Sequence, residues 1–220
     1  MKTKTVIFDL DGLLIDSEVI SLEVYQRMVA EHGGQLTTAA YAETYSGRSG
    51  ITNMEELIAN FNLPLSLQQG LDQSLALEKQ LMQRGVPLKA GARELLVYLA
   101  TNGYLVAMAS SSTAKRAHDI LQANGVDQYF DSFTFRDEVT AGKPHPDIFI
   151  KACHKLNQQP ADCLVIEDSE AGIRAAHAGQ IPVICIPDMK RPGAPVAAMT
   201  TAIYPTLLGV IDFLRDQTTV

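Results

Sequence analysis

Two aspartates, Asp9 and Asp11, have the residue type and spacing that most directly suggest chemistry in this chain. They follow the apolar run Val6-Ile7-Phe8, which predicts a short buried strand. Gly12 lies directly behind them and allows the backbone to turn sharply. Two carboxylates crowded at a strand end repel each other, so the pattern favours a divalent cation between them. On spacing alone, two acids that simply cap a loop remain the alternative.

A cluster of hydroxyl groups follows a second predicted strand, at residues 104–109. The cluster consists of Ser110, Ser111, Ser112 and Thr113. It stands where the strand ends and a helix begins, and the N–H groups of a helix start can bind an anion together with hydroxyls. The alternative is an ordinary Ser/Thr helix cap, which the cluster by itself does not exclude.

A lysine and a pair of acids stand near two further predicted elements. Lys143 lies in the loop 140–146, where prolines restrict the backbone and present the side chain from a stiff base. Taken alone, a lysine in a loop is usually a solvated surface residue. The apolar run 163–166 predicts another buried strand, and Glu167 and Asp168 follow it directly.

These groups are far apart in sequence, but a parallel sheet would bring them together. The carboxyl ends of parallel strands lie along one edge, and ligands of open α/β sheets bind there. Four acids, one cation and a group of hydroxyls at such an edge suit a dianionic phosphate beside a divalent metal. Ligands that are all oxygen, with room for water, are what Mg²⁺ prefers.

Composition excludes several classes of function. The net charge is −7 and the 18 basic residues form no stripe, so we expect no nucleic-acid partner. No stretch approaches the roughly 18 apolar residues of a membrane span, so we expect no membrane partner. The three cysteines lack metal-binding spacing and lie in apolar surroundings, which indicates a reducing, cytoplasmic location. No feature indicates an obligate protein partner.

Apolar residues at helical spacing from Ser17 to Gly85 predict four helices. Thr38 and Ser66 are predicted helix caps, and Leu75 belongs to the apolar face of the fourth helix. Strand and helix patterns alternate after Pro87, which predicts an α/β fold with a parallel sheet.

This organisation predicts two domains. Residues 1–15 and 86–220 would form an α/β core, and residues 16–85 a helical insert. A small unit that the chain enters and leaves by single crossings can move as a lid.

Four segments resemble, in order, the motifs of the haloacid dehalogenase superfamily, within its branch of β-phosphoglucomutase-like sugar phosphatases with a helical cap. They are FDLDGLLIDSE at 8–18, ASSS at 109–112, GKP at 142–144 and IEDS at 166–169. The similarity extends over essentially the whole chain. It implies a Rossmann-like core with a doubly wound parallel sheet, and a four-helix cap domain inserted after the first motif.

The resemblance also implies catalytic and phosphate-binding roles. Asp9 would be the nucleophile that forms a phosphoaspartyl intermediate, and Asp11 the general acid and base. Ser110 and Ser111, with neighbouring N–H groups, and Lys143 would bind the phosphate oxygens.

The cofactor that the resemblance implies is Mg²⁺. The Asp9 carboxylate, the Asp11 backbone carbonyl and Asp168 would hold the ion, and Glu167 would support it directly or through water. In the cap, the loop of Gly47 and Arg48 would contact the substrate, and Arg48 would recognise its hydroxyl groups or a second phosphate. A solvated loop arginine is the alternative for Arg48.

The function that follows is a Mg²⁺-dependent phosphatase acting on small phosphorylated metabolites, such as sugar or nucleoside phosphates. A phosphosugar mutase is the first alternative, but mutases of this branch carry a histidine where this chain has Ser21. A non-catalytic protein that binds phosphorylated metabolites is the second. The repelling pair of Asp9 and Asp11 argues against it, because a binding protein has no need of such a pair.

Overall fold

The computed structural model describes residues 3–46, 48–82 and 85–218. The chain divides into two compact units. The core unit comprises Met1–Ile15 and Pro87–Val220, and the helical unit comprises Asp16–Val86. Val86 therefore groups with the helices, whereas the sequence pattern placed the boundary one residue earlier. That the helical unit acts as a cap stays a prediction.

Four helices make up the described part of the helical unit. They are α1 (Ser17–Glu31), α2 (Thr38–Thr44), α3 (Gly50–Phe61) and α4 (Leu67–Met82). Helix α4 packs against both α1 and α3. The rings of Tyr25, Tyr41 and Tyr45 cluster inside the unit, with centroids 5.7 to 6.0 Å apart. Aromatic rings at such distances make favourable edge and tilted contacts, and these contacts join α1 to α2.

Six parallel strands form the sheet of the core unit. They are β1 (Thr5–Phe8), β2 (Leu105–Ser110), β3 (Ser132–Phe135), β4 (Cys163–Glu167), β5 (Val183–Cys185) and β6 (Ala202–Ile203). Their order across the sheet is β3-β2-β1-β4-β5-β6, so β1 lies in the interior between β2 and β4. The predicted Rossmann-like parallel sheet is confirmed.

Helices flank this sheet and bury it. They are α5 (Ala92–Thr101), α6 (Ala114–Ala123), α7 (Asp147–Lys155), α8 (Glu170–Ala178), α9 (Ala194–Ala197) and α10 (Leu208–Thr218). Successive strand residues point to opposite faces, and Val6, Ile7 and Phe8 are all fully buried. Both faces of the central strand are therefore covered, which is why its sequence is a continuous apolar run.

Local details differ from the sequence prediction at a few positions. The N-cap of α2 is Thr37, whose hydroxyl accepts a hydrogen bond from the Ala40 N–H, and not Thr38, which is the first helical residue. Leu75 is 65% exposed and does not face the interior of its unit. Ser66 does accept a hydrogen bond from the Gln69 N–H at the start of α4. No helix in the described ranges is both long and apolar enough to cross a membrane.

Candidate active site

Parallel pairing brings the predicted site residues to one edge of the sheet. Phe8 of β1 pairs in register with Ile166 of β4 and with Met108 of β2. Asp9, the first residue after β1, therefore lies level with Glu167, the last residue of β4. Ser110 is the last residue of β2 on the other side of β1, and it is buried.

Lys143 joins the two acids that follow β1 and β4. Its ammonium group donates hydrogen bonds to Asp9 Oδ1 and to Glu167 Oε1, the latter at 2.6 Å. The lysine side chain is only 7% exposed, and its Nζ lies 4.8 Å from the centroid of the Phe149 ring. Lys143 is therefore a buried cation between two carboxylates, and not the solvated surface lysine that its sequence position also allowed.

Burial and neighbouring charges shift the pKa values of this cluster in opposite directions. Burial raises the pKa of Asp9 to about 7, against the lowering effect of the Lys143 charge. Burial also opposes the charged form of Glu167, but the Lys143 charge and hydrogen bond outweigh it and lower the pKa of Glu167. For Lys143, burial favours the neutral amine, and the two carboxylates outweigh it and raise the pKa. Lys143 and Glu167 are thus charged at neutral pH.

Glu167 is held by several donors from its own strand end. Its Oε2 accepts hydrogen bonds from the N–H groups of Asp168 and Ser169 at 2.9 and 2.8 Å, and from the Ser169 hydroxyl at 3.0 Å. Ser169 is also the N-cap of α8. A Cβ at Gly172, in the first turn of that helix, would overlap the Glu167 carboxylate. The glycine therefore makes room for the buried acid.

Asp168 lies against the turn that follows β1. Gly12 has a φ of +79°, and a Cβ at this position would overlap the Asp168 carboxylate. The second acid close to Gly12 is Asp188, which pairs with Lys89. Burial, together with the carboxylates of Glu167 and Asp9, raises the pKa of Asp168 well above its ordinary value. The sequence interpretation missed the pair of Asp188 and Lys89.

Three of these acids could hold a metal ion. Asp9, Glu167 and Asp168 each offer a carboxylate oxygen, and the three oxygens lie within 4.8 Å of one another. Burial and neighbouring carboxylates raise the pKa values of Asp9 and Asp168, so their charged forms are disfavoured without a cation. A divalent ion between these oxygens would offset that cost, and hard oxygen ligands suit Mg²⁺. The residues present therefore fit the predicted ion.

Asp11 is paired with an arginine that the sequence interpretation did not include. Arg116 Nη2 lies 2.8 Å from Asp11 Oδ1, and Nη1 donates to Oδ2 at 2.9 Å. The Ser112 hydroxyl donates to the same Oδ2 at 2.6 Å. No sequence pattern singles out Arg116, because its partner lies 105 residues away along the chain.

The hydroxyl cluster contains the predicted helix cap, and its role in anion binding stays a prediction. Thr113 is the N-cap of α6 and accepts a hydrogen bond from the Arg116 N–H. The Ser110 hydroxyl accepts from the Ser112 N–H at 3.0 Å and so shapes the loop between β2 and the helix. Ser111 is exposed at the turn. The cluster thus includes a helix cap, and its first hydroxyl lies at the strand end beside β1.

The predicted cap residues are only partly described. Gly47 lies outside the described residues. Arg48 donates two hydrogen bonds to the Glu56 carboxylate, at 2.8 and 2.6 Å, and one to the Thr44 carbonyl. These contacts lie within the helical unit, and a role of Arg48 in substrate choice stays a prediction.

Comparison with known proteins gives the same family as the sequence motifs, over most of the chain. Residues 6–186 match the haloacid dehalogenase-like hydrolase family. The chain is 30% identical over 212 residues to a bifunctional riboflavin kinase/FMN phosphatase of Arabidopsis thaliana, a match that covers 96% of this chain and 53% of that protein. The chain therefore spans about half the length of this relative.

Two proteins of Thermotoga maritima are matched over most of their length. A phosphorylated carbohydrates phosphatase is 30% identical over 178 residues, which cover 81% of this chain and 82% of the relative. A solved structure provisionally described as a β-phosphoglucomutase has a TM-score of 0.82 and 25% identity, and covers 97% of this chain and 99% of its own.

The matched range includes every segment on which the resemblance rested, from the acids after β1 to those after β4. The fold and the order of the motifs agree with it as well. The chain therefore belongs to the haloacid dehalogenase-like hydrolases.

Proposed function

We propose that this protein is a Mg²⁺-dependent phosphatase that hydrolyses small phosphomonoesters, with sugar or nucleoside phosphates as the substrate class. The observation that carries the proposal is the buried cluster in which Lys143 joins Asp9 to Glu167 at the carboxyl edge of the sheet. The names of two relatives, an FMN phosphatase and a phosphorylated carbohydrates phosphatase, support the same chemistry.

Asp9 is the nucleophile of the proposed reaction. One of its carboxylate oxygens attacks phosphorus in line, and the bond from phosphorus to the leaving oxygen breaks. The product of this step is an aspartyl phosphate on Asp9. Lys143 stabilises the negative charge on the transferring oxygens, and Ser110 and the N–H groups at the start of α6 donate hydrogen bonds to them.

Asp11 moves the protons of both steps. In the first step it donates a proton to the leaving oxygen, which departs as an alcohol. In the second step the Asp11 carboxylate takes a proton from water as that water attacks phosphorus. The bond between phosphorus and Asp9 then breaks, which releases inorganic phosphate and restores both aspartates.

Asp9, Asp168 and the Asp11 backbone carbonyl would hold the Mg²⁺ ion, with Glu167 in a supporting position. When bound, the ion supplies positive charge that offsets the repulsion between the Asp9 carboxylate and an anionic phosphate. The cluster of acid oxygens within 4.8 Å of one another supports this assignment.

A phosphosugar mutase is the second candidate, because the chain resembles a structure provisionally described as a β-phosphoglucomutase. Ser21 argues for hydrolysis instead, since a serine hydroxyl is a far weaker base than the imidazole that this branch of mutases carries there. The test for the mutase is conversion between two sugar phosphate isomers. Conversion that depends on an added bisphosphate and is faster than phosphate release would establish this activity.

The test of the proposed function is phosphate release from a panel of sugar, nucleoside and small-acid phosphates. It is measured with Mg²⁺ and with a chelator, for the wild type, Asp9→Asn and the control Asp119→Asn. Asp119 is an exposed acid of the same unit, paired with Lys115.

We expect metal-dependent release by the wild type and the control, and none by Asp9→Asn, which should retain its fold. Residual activity of the folded Asp9→Asn variant above a few per cent would remove Asp9 as the nucleophile. Absence of release from every compound by folded wild-type protein would contradict the phosphatase.

A further inference from the structure

Arg116, Ser112 and Asp11 form a closed network at the start of α6. The guanidinium contacts both oxygens of the Asp11 carboxylate, at 2.8 and 2.9 Å. Its Nη1 also donates to the Ser112 hydroxyl at 2.6 Å, and that hydroxyl in turn donates to Asp11 Oδ2. Each side chain of the network thus contacts the other two.

The position of Arg116 in the helix is unfavourable for a cation. The residue lies in the first turn of α6, where the positive end of the helix dipole repels a cation. The long arginine side chain also loses rotamer entropy when it is held in one conformation. The network offsets these costs through one charge-assisted hydrogen bond, from Nη1 to Asp11 Oδ2, and through the ion pair of Nη2 with Oδ1.

One hydrogen bond and one adjacency in sequence tie this network to the proposed phosphate site. The Ser112 N–H donates to the hydroxyl of Ser110, a predicted phosphate-binding residue. Asp11 itself lies two residues after the proposed nucleophile. The guanidinium therefore fixes the direction of a carboxylate that emerges beside the reacting atoms, while the Arg116 side chain is 23% exposed at the rim.

We infer that Arg116 is a positioning residue, which holds the Asp11 side chain in the orientation needed for proton exchange with the leaving oxygen. This inference rests on the proposed function, in which Asp11 is the general acid and base. In this role Arg116 acts through Asp11 and not by binding the phosphate.

The inference has a consequence that depends on the leaving group. A sugar phosphate releases an alkoxide unless its leaving oxygen is protonated, so its hydrolysis depends strongly on a well-placed acid. An aryl phosphate such as p-nitrophenyl phosphate releases a stable phenolate and depends on that acid much less. Loss of the positioning residue should therefore slow the first substrate more than the second.

The experiment measures kcat and KM on one sugar phosphate and on p-nitrophenyl phosphate for the wild type, Arg116→Ala and Arg116→Lys. Lys115→Ala is the matched control, because Lys115 is the adjacent cation of the same helical turn and forms an exposed pair with Asp119. The same constants are measured for Asp11→Asn and for the double variant that combines Asp11→Asn with Arg116→Ala.

We expect Arg116→Ala to lower kcat on the sugar phosphate at least ~10-fold, which is part of the roughly 10²- to 10⁴-fold that a general acid–base typically contributes. On the aryl phosphate we expect a loss of only ~3-fold or less. Arg116→Lys should recover part of the loss, since a lysine supplies the charge without the two-point contact. The double variant should lose no more than Asp11→Asn alone, because the two residues act as one unit. Lys115→Ala should match the wild type.

Equal losses on the two substrates would overturn the inference, as would a gain in activity or a double variant whose losses add. A rise in KM on the sugar phosphate with kcat unchanged would also overturn it, since Arg116 would then bind substrate directly. If Arg116→Ala fails to fold, the leaving-group comparison is made with Arg116→Lys and has the same consequences. Absence of turnover by the wild type on both substrates would instead be a failure of the proposed function.

Discussion

The two units of the molecule contain similar ion pairs in opposite surroundings. In the core unit, Lys143 Nζ lies 2.6 Å from Glu167 Oε1, and the two side chains are 7% and 1% exposed. In the helical unit, Arg48 Nη2 lies 2.6 Å from Glu56 Oε1, and these side chains are 39% and 37% exposed. The pairs differ little in distance and greatly in their access to water.

Access to water determines how much each ion pair contributes to the stability of the fold. An exposed ion pair typically stabilises a protein by about 0–1 kcal/mol, because solvent screens the attraction. A buried pair carries a desolvation cost that can exceed its attraction, but removal of one partner leaves an uncompensated charge. Stability therefore does not explain why Lys143 is buried among acids, whereas the proposed phosphate chemistry does.

Three variants test this difference between the buried and the exposed ion pair. Among them, Lys143→Met should lower the free energy of unfolding most. Methionine keeps most of the apolar volume but leaves Asp9 and Glu167 without a cation, which we expect to cost about 3 kcal/mol. The measurement is urea unfolding of the metal-free protein. Lys155→Met is the control, since Lys155 pairs with Glu138 in a more exposed position. A loss no larger than that of the control would show that the buried lysine is not needed to balance the two acids.

Gly172→Ala should have the next largest effect. Alanine normally stabilises a helix by up to about 1 kcal/mol relative to glycine, but here the added Cβ would displace the Glu167 carboxylate. We expect a net loss of roughly 2 kcal/mol, as for other disturbed buried polar networks. Gly50→Ala is the control, because a Cβ there meets nothing within 4 Å. Stabilisation of both variants would mean that Glu167 moves without cost.

Arg48→Ala should have the smallest effect on stability, within about 1 kcal/mol as for an exposed pair. If Arg48 reads the substrate, kcat/KM should fall more on sugar phosphates than on a minimal aryl phosphate. Glu56→Gln separates the two roles, since it weakens the ion pair but keeps the arginine. Equal losses of Arg48→Ala on both substrates would assign the residue to the chemistry or the fold instead.

The arrangement of the core was predictable because a parallel sheet follows simple rules. The apolar runs of β1, β2 and β4 indicated strands buried on both faces, and parallel pairing then required that Asp9, Ser110 and Glu167 meet at one edge. The backbone alone fixes that result. No side-chain conformation had to be known.

Other features depend on side-chain directions, which the sequence does not specify. Arg116 reaches Asp11 across more than a hundred residues of sequence, and Lys89 reaches Asp188 over a similar separation. The choice of Thr37 over Thr38 as the cap of α2 depends on where the backbone leaves the extended conformation. Leu75 fits the helical apolar pattern but lies on an exposed side of α4.

The most direct test of the central claim is to trap the covalent intermediate on Asp9. The wild-type protein is mixed with a substrate that it hydrolyses, quenched within one turnover and treated with borohydride, which reduces an aspartyl phosphate to homoserine. Peptide mass spectrometry should then find homoserine at position 9 in the wild type and nowhere in Asp9→Asn. Turnover without modification at position 9, or with modification at another carboxylate, would contradict the role of Asp9 as the nucleophile.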